Sequence, residues 1–414
     1  MSGDIEERLD EIRDQGLYRR MRCVSGPQGP RVLLDGKPVL LLCSNNYLGL
    51  ADHPRVREAA AEAAMRYGAG SGASRLISGN MTIHRRLEKQ LAEFKGSETC
   101  LLFGSGYLAN AGVVSALARE GDVVFSDALN HASIIDGCRL SRAETFVYDH
   151  LDTDHLEWGL RQAEGRGALI VTDGVFSMDG DVAPLERIVE LAQRYDARVM
   201  VDEAHGTGAI GPDGRGAVAD AGLEGEIDVI VGTLGKALGS YGAYVCCDEQ
   251  MAKYLINTAR TLIFSTALPP PAVAAAMAAL ALLREQPRRV EKLQRNAAVL
   301  RESLAAEGIP MPDDRTQILP VIVGDADEAI FASERALEKG IFAQAIRPPT
   351  VPDGSSRLRL TVMASHTRSE LREAARVIAD CVEAAGRAAD ERRAAERERL
   401  AGPARVFDGL RDAA

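Results

Sequence analysis

Two stretches of sequence decide the fold: RVMVDEAHGTG at residues 198–208 and VIVGTLGKALGS at residues 229–240. Each begins with a short apolar run that is typical of a buried strand. The first run passes directly into Asp202 and His205, and the second into Thr233 and Lys236. In open α/β sheets, ligands bind beyond the carboxyl ends of the strands. The two stretches therefore predict a carboxylate and a lysine at the ligand-binding edge of a sheet.

Similar apolar runs occur on either side of these stretches and alternate with helix-like segments. The runs lie at residues 99–103, 123–125, 168–172 and 243–246, and the helix-like segments at 54–67, 81–95 and 108–120. This alternation predicts an α/β fold with a mostly parallel central sheet and helices on both of its faces.

The rest of the chain predicts further units around that sheet. Residues 1–50 read as an N-terminal arm with a helix and a hairpin at 31–42. A long helical region is expected from residue 271 to about residue 307, followed by strands at 319–323, 341–345 and 357–361 and a helix at 328–339. We therefore predict an arm (1–50), a large domain (51–285), a smaller α+β C-terminal domain (286–385) and a charged tail (386–414).

Composition narrows the class of protein. The chain has 414 residues and a net charge of −11, which argues against nucleic acid or an anionic membrane as a partner. No uncharged apolar stretch approaches the roughly 20 residues of a membrane span. The seven cysteines are scattered without a CxxC pair. This pattern predicts reduced thiols, a cytoplasmic location and no metal site.

Asp202 and Lys236 together allow two interpretations. A buried strand-end lysine can form a Schiff base, and a carboxylate opposite it can hold a protonated pyridine nitrogen, as pyridoxal phosphate requires. An ordinary ion pair at the surface is the alternative, and these two residues alone do not decide between them.

A second candidate site is the stretch FGSGYLAN at residues 103–110. It follows an apolar run and opens a helix, so its backbone N–H groups and glycines could bind an anion. A plain strand-to-helix turn would look similar. The glycine-rich stretch at 68–74 follows a helix instead of a strand, which argues against a dinucleotide site.

Seven motifs make the chain resemble a known family. They are CSNNYLGL (43–50), GSGASRLISGN (70–80), HASIIDG (131–137), GVFSMDGD (174–181), VDEAHGTG (201–208), TLGKALGS (233–240) and FSTALPP (264–270). Over residues 17–384 the chain resembles the α-oxoamine synthases, which are pyridoxal 5'-phosphate enzymes of fold type I. The resemblance implies a PLP-dependent acyltransferase that works as a homodimer with shared active sites.

The resemblance also implies roles in binding the cofactor. Lys236 would hold it as a Schiff base and later move the substrate Cα proton, and Asp202 would pair with the pyridine nitrogen. His131 would stack on the ring as a further catalytic residue. The remaining implied cofactor contacts are Ser105, Gly106, Tyr107 and Thr233 around the phosphate, Ser177 and His205 at the phenolic oxygen, and Thr266 on the phosphate of the neighbouring subunit.

For the substrates, the resemblance implies L-alanine and a pimeloyl thioester carried on CoA or on acyl carrier protein. Arg359 would clamp the amino-acid carboxylate with help from Asn45 and His131. Arg19, Arg347 and Thr350 would face the acyl group, although Arg20 and Arg22 lie beside the first of them. A glycine-using relative such as glycine C-acetyltransferase is the alternative within the family. A non-catalytic PLP-binding regulatory protein is the alternative outside it.

Two positions depart from the family pattern. Asp173 stands where the family more often has glutamate, which predicts looser contacts near the ring. Asn46 stands where many relatives have aspartate, which removes a charge near the expected substrate channel.

Overall fold

The structure is a computed structural model that describes residues 2–14, 17–312 and 315–400. The helices in these ranges are α1 Ser2–Asp14, α2 Pro54–Tyr67, α3 Thr82–Lys95, α4 Gly106–Leu117, α5 Ala132–Ser141, α6 Thr153–Gln162, α7 Leu185–Arg194, α8 Ala217–Asp220, α9 Glu249–Thr258, α10 Arg260–Ile263, α11 Pro270–Glu285, α12 Arg288–Ala306, α13 Ala326–Glu338 and α14 Arg368–Leu400. The strands are β1 Val24–Ser25, β2 Arg31–Leu34, β3 Lys37–Leu41, β4 Thr99–Phe103, β5 Val123–Asp127, β6 Glu144–Tyr148, β7 Ala168–Asp173, β8 Arg198–Asp202, β9 Val229–Thr233, β10 Ala243–Cys247, β11 Ile318–Gly324, β12 Ile341–Phe342, β13 Gln344–Ile346 and β14 Ser356–Thr361.

The central sheet has seven strands in the order β4-β10-β9-β8-β7-β5-β6. Strand β10 runs antiparallel to both of its neighbours, and the other neighbouring pairs are parallel. Successive residues of β8 face different cores: Val199 and Val201 pack into one apolar cluster, and Met200 packs into the other. A strand buried on both faces needs a nearly continuous apolar run, which explains the sequence pattern. The predicted α/β class is confirmed.

The parallel strands end in polar residues at one edge of this sheet. Asp173 at the end of β7 pairs in register with Asp202 at the end of β8. Strand β9 ends at Thr233, three residues before Lys236. The topology therefore brings Asp202 and Lys236 to the same edge, as the sequence predicts, and adds the carboxylate of Asp173.

Two smaller sheets lie outside the central one. One has the order β11-β14-β13, and the other has the order β1-β2-β3-β12. In the second sheet, β12 pairs in parallel with β3, so that Ile341 lies opposite Leu40. The hairpin of the predicted arm is thus completed by a strand of the predicted small domain. The division of the chain into domains stays a prediction.

Several expected elements differ from those observed. The region expected as one helix from 271 to 307 is two helices, because Pro287 stands between α11 and α12. Strand β6 was not expected, and the strand expected at 341–345 is split into β12 and β13.

The predicted tail does not begin with a break. Helix α14 runs without interruption through residues 385 and 386. Ala389 is buried, and the Arg393 guanidinium donates to Glu328 of α13 at 2.8 Å. The part of the tail up to residue 400 thus continues a helix of the small domain, and residues 401–414 lie outside the described residues. Across the described ranges, no helix has the length and apolar character to cross a membrane.

Candidate active site

Lys236 and His205 meet at the edge of the central sheet. The Lys236 Nζ atom lies 2.8 Å from His205 Nε2. Burial of the amine is the main reason that the pKa of Lys236 is lowered to about 8, although the carboxylate of Asp202 acts in the opposite direction. A buried lysine with a lowered pKa holds a useful fraction of neutral amine near neutral pH, which is what a Schiff-base lysine needs.

Asp202 is a buried carboxylate held by two donors. Its Oδ1 atom accepts the Ala204 backbone N–H at 2.8 Å, and its Oδ2 atom accepts from Asn110 Nδ2 at 2.6 Å. Asn110 lies in the stretch FGSGYLAN, whose sequence pattern predicts no role for this residue. The one sequence feature that could have indicated a role for Asn110 is its polar amide within the otherwise apolar, buried part of α4.

His131 is the N-cap residue of α5. Its Nδ1 atom lies 2.7 Å from the Ser133 hydroxyl, and its backbone N–H donates to Asp173 Oδ2 at 2.9 Å. Burial, followed by the nearby Asp202, raises the pKa of Asp173 well above its usual range. Asp173 thus holds the His131 backbone, and its expected loosening of contacts near the ring stays a prediction.

Three of the four residues expected around a phosphate lie at the N-terminus of α4, and the fourth, Thr233, ends β9. The Ser105 hydroxyl accepts the Leu108 N–H at 3.2 Å and so caps the helix. A Cβ placed on Gly106 would meet no heavy atom within 4 Å, so the space above this residue is open. Tyr107 is exposed, and its hydroxyl donates to Asp136. Thr233 accepts the Gly235 N–H at 3.1 Å.

Arg359 and Asn45 come together as expected. Arg359 is buried, and its Nη1 atom lies 3.4 Å from Asn45 Oδ1. Its Nε atom donates to the backbone carbonyl of Ser177, so the contact that the structure gives Ser177 is to the arginine. Asn46, by contrast, uses its Oδ1 atom to accept the N–H groups of the loop at residues 50 and 51. Its amide organises this loop, so the expectation that it bears on a substrate channel has no support in its contacts.

The three residues expected to face the acyl group line one cavity. Arg19, Arg347 and Thr350 border a space of about 720 Å³, together with Arg20 and Arg22. Neither Lys236 nor the other residues at the sheet edge belong to the described lining of this cavity. The structure thus groups these residues with one another, and their role toward the acyl group stays a prediction.

Thr266 lies in the segment between α10 and α11. It is exposed and forms an isolated antiparallel bridge with Ser74. Its predicted reach into the neighbouring subunit stays a prediction.

The side chains at the sheet edge fit pyridoxal phosphate. The amine of Lys236 can bind an aldehyde, the fixed carboxylate of Asp202 can hold a pyridinium N–H, and the open space at Gly106 suits a phosphate. Within the described part of the chain, no group of three or more His, Cys, Asp or Glu residues could hold a metal ion. The absence of a metal cofactor stays a prediction.

Comparison with known proteins identifies the class. Residues 37–378 match the family model described as aminotransferase class I and II. The chain belongs to this family and, within it, to the α-oxoamine synthases of fold type I.

Curated relatives narrow this to one kind of enzyme. A relative from Citrifermentans bemidjiense, 55% identical over 375 residues that cover 90% of this chain and 96% of the relative, is an 8-amino-7-oxononanoate synthase. A relative of the same name from Geobacter sulfurreducens is 52% identical over 382 residues, covering 92% and 98%.

Solved structures share the fold with this chain. A serine palmitoyltransferase from S. paucimobilis with a bound PLP–myriocin aldimine has a TM-score of 0.87 at 32% identity, covering 92% of this chain and 98% of that one. The 8-amino-7-oxononanoate synthase from Francisella tularensis has a TM-score of 0.73 at 29% identity, covering 83% and 98%. The predictions of family, fold type, cofactor and enzyme class are confirmed.

Proposed function

We propose that this chain condenses L-alanine with a pimeloyl thioester to give 8-amino-7-oxononanoate, CO2 and the free thiol carrier, a step of biotin biosynthesis. The names of the curated relatives support the choice of substrates. The observation that carries the proposal is that Asp202 and Lys236 lie at one edge of the central sheet, and that Arg359 of β14 is near enough for its charge, like that of Asp202, to act on the pKa of Lys236.

Bound pyridoxal phosphate supplies an electron sink for carbanion charge, which protein side chains do not provide. Asp202 would keep the pyridine nitrogen protonated, because Asn110 and the Ala204 N–H already orient its carboxylate. His131 would lie over the cofactor ring, and Asp173 holds the backbone of His131 in place. The N-terminus of α4 and Thr233 would hold the phosphate.

Lys236 acts as the base. Its lowered pKa leaves part of the population as free amine near neutral pH, so Nζ can take the proton from the alanine Cα and return it to the product. One base is enough for both steps, because the amine remains beside the same carbon.

Arg359 binds the carboxylate of alanine. A buried guanidinium can form two parallel hydrogen bonds to a carboxylate, which fixes the orientation of the amino acid as well as its position. Asn45 supports the arginine from the side at 3.4 Å.

The arginine-lined cavity is proposed to receive the anionic part of the acyl donor. Four arginines give this cavity the positive charge that either CoA phosphates or the phosphopantetheine arm of acyl carrier protein would need. We further propose a homodimer in which Thr266 of each subunit completes the phosphate site of the other. The cysteines are free and mostly buried, which supports a cytoplasmic location.

The test is product identification by mass spectrometry with the purified chain, L-alanine and pimeloyl-CoA. A mass matching 8-amino-7-oxononanoate, absent in a Lys236→Ala variant, is the expected result. A product from glycine and acetyl-CoA alone would favour the glycine-using alternative. Failure of borohydride to attach the cofactor at Lys236 would favour a non-catalytic protein.

A further inference from the structure

His150, which none of the roles above includes, joins two separate parts of the site. Its Nδ1 atom lies 2.8 Å from Asp127 Oδ1, and its Nε2 atom lies 2.7 Å from Asp181 Oδ2. Asp127 is the last residue of β5, which runs parallel to β7. Asp181 is the last residue of the motif GVFSMDGD at 174–181, which we call the Ser177 loop. The imidazole ring therefore bridges a strand of the central sheet and a loop that carries site residues.

The two contacts of His150 require a charged ring. Asp127 also accepts the backbone N–H groups of Leu129 and Leu151, at 2.8 and 2.9 Å, so it acts as an ionised acceptor. Within the described residues, the Oδ1 atom of Asp181 is buried without a hydrogen-bond partner, which leaves His150 to compensate this carboxylate. A neutral imidazole has one N–H, whereas an imidazolium donates to both aspartates. Burial lowers the pKa of His150, but the hydrogen bonds to the aspartates outweigh burial and raise it to about 10.

The Ser177 loop is a closed unit attached to His150. The Phe176 N–H donates to the Asp181 carbonyl at 3.0 Å, and the Gly180 N–H donates to the Phe176 carbonyl at 2.9 Å. The buried Phe176 ring packs edge-on against the His150 imidazole, with 4.5 Å between the ring centroids. His150 thus contacts one charged and one aromatic side chain of the same loop, and both are tied to each other by the loop backbone.

The tip of the Ser177 loop holds two arginines of β14. The Ser177 carbonyl accepts the Nε–H of Arg359, and the Asp179 carboxylate accepts from Arg357 Nη1. Both guanidinium groups are buried. Because the Nε–H of Arg359 is bonded to the loop, the Nη groups are the donors left for a substrate carboxylate. The position of the loop therefore decides how Arg359 is oriented.

We propose that the His150 imidazolium is a positioning residue that fixes the Ser177 loop against Asp127 and so orients Arg359 toward the carboxylate of alanine. The inference rests on the proposed function, because it takes the alanine carboxylate as the group that Arg359 binds. Loss of the His150 charge leaves Asp181 uncompensated at the base of the loop, and the loop then moves away from β5. The consequence is weaker binding of the amino acid.

The test is steady-state kinetics of the holoenzyme near neutral pH with varied L-alanine. In His150→Gln, KM for alanine should rise about tenfold, the factor that corresponds to one hydrogen bond of ordinary strength, with little change in kcat. Asp181→Ala removes the same contact from the loop side, so it should raise KM similarly, and the double variant should add little. His155→Gln is the matched control, because His155 lies 3.2 Å from the Asp149 carboxylate but packs on Trp158 instead of the Ser177 loop.

Hydrogen exchange of the full-length cofactor-free chain measures the loop itself. In His150→Gln and in Asp181→Ala, exchange should become faster in peptides that cover residues 174–181 and stay unchanged in those that cover β9. An unchanged KM for alanine in both variants, a fall in kcat at unchanged KM, or unchanged exchange of the loop would overturn the proposal. Failure of the proposed function would instead appear in the natural sequence, as absence of product from alanine, and the exchange result would still decide whether His150 fixes the loop.

Discussion

A methyl group on Gly106 should weaken binding of the cofactor without weakening the fold. Gly106 is the first residue of α4, and its φ is not among the positive values that strain an L-residue. An alanine Cβ at this position would meet no protein atom within 4 Å. The methyl group would instead occupy the space assigned to the cofactor phosphate.

The two expected effects have opposite signs. Replacing glycine by alanine at a compatible position stabilises a fold by roughly 0.4–1 kcal/mol. Loss of one hydrogen bond to a charged phosphate costs about 1.5–3 kcal/mol, which raises Kd for the cofactor about tenfold to a hundredfold.

The assay measures both quantities on Gly106→Ala: thermal unfolding of the cofactor-free protein, and Kd from a titration with pyridoxal phosphate. Gly112→Ala on the same helix is the contrasting variant, since its Cβ would lie 2.0 Å from Thr261 Oγ1 and should destabilise the fold by about 1–3 kcal/mol. If Gly106→Ala binds the cofactor with unchanged Kd, the phosphate does not lie at this helix end.

Three further predictions concern titratable groups. Burial lowers the pKa of Lys236 to about 8, so the rate of Schiff-base formation should level off above that pH. Absorbance follows this rate, and a rate that still rises steeply at about pH 10 would contradict the prediction. Burial lowers the pKa of His150, but hydrogen bonds to two aspartates outweigh burial and raise it to about 10. The charged ring therefore stabilises the fold fully below about pH 6.5, and urea unfolding should show the cost of His150→Gln shrinking as pH rises from there to about 10. The raised pKa of Asp173 favours its neutral acid, so Asp173→Asn should keep most of kcat. Asp173→Ala should lower kcat about tenfold, because it removes the oxygen that accepts the His131 backbone N–H. Equal losses of kcat in the two variants would refute this.

The sequence predicts those parts of the fold that produce a local pattern. Strands β8 and β9 are buried on both faces, so they appear as uninterrupted apolar runs, and the observed bounds of α2 equal the predicted ones. Strand β6 lies at the edge of the sheet, and Glu144 and Thr145 are exposed, which leaves no such run. The helical apolar spacing continues on both sides of Pro287, so the sequence predicts one helix where Pro287 separates two.

The same distinction applies to the site. Asp202, His205 and Lys236 follow apolar runs, so the sheet rule finds them without the structure. The contact between Tyr47 and His205 joins residues 158 positions apart and leaves no local trace in the sequence. The hydrogen bond from Asn110 to Asp202 joins residues 92 positions apart and likewise leaves no local pattern in the sequence.

The pairing of β3 with β12 has a consequence for how the chain folds during synthesis. Leu40 must find Ile341 to complete the sheet of the N-terminal hairpin, so that hairpin waits for about 300 further residues to be made. At roughly 5–20 residues per second, the wait is on the order of 15–60 s. Throughout this interval the free edge of β3 is open to strands of other chains, and a nascent chain would need protection there.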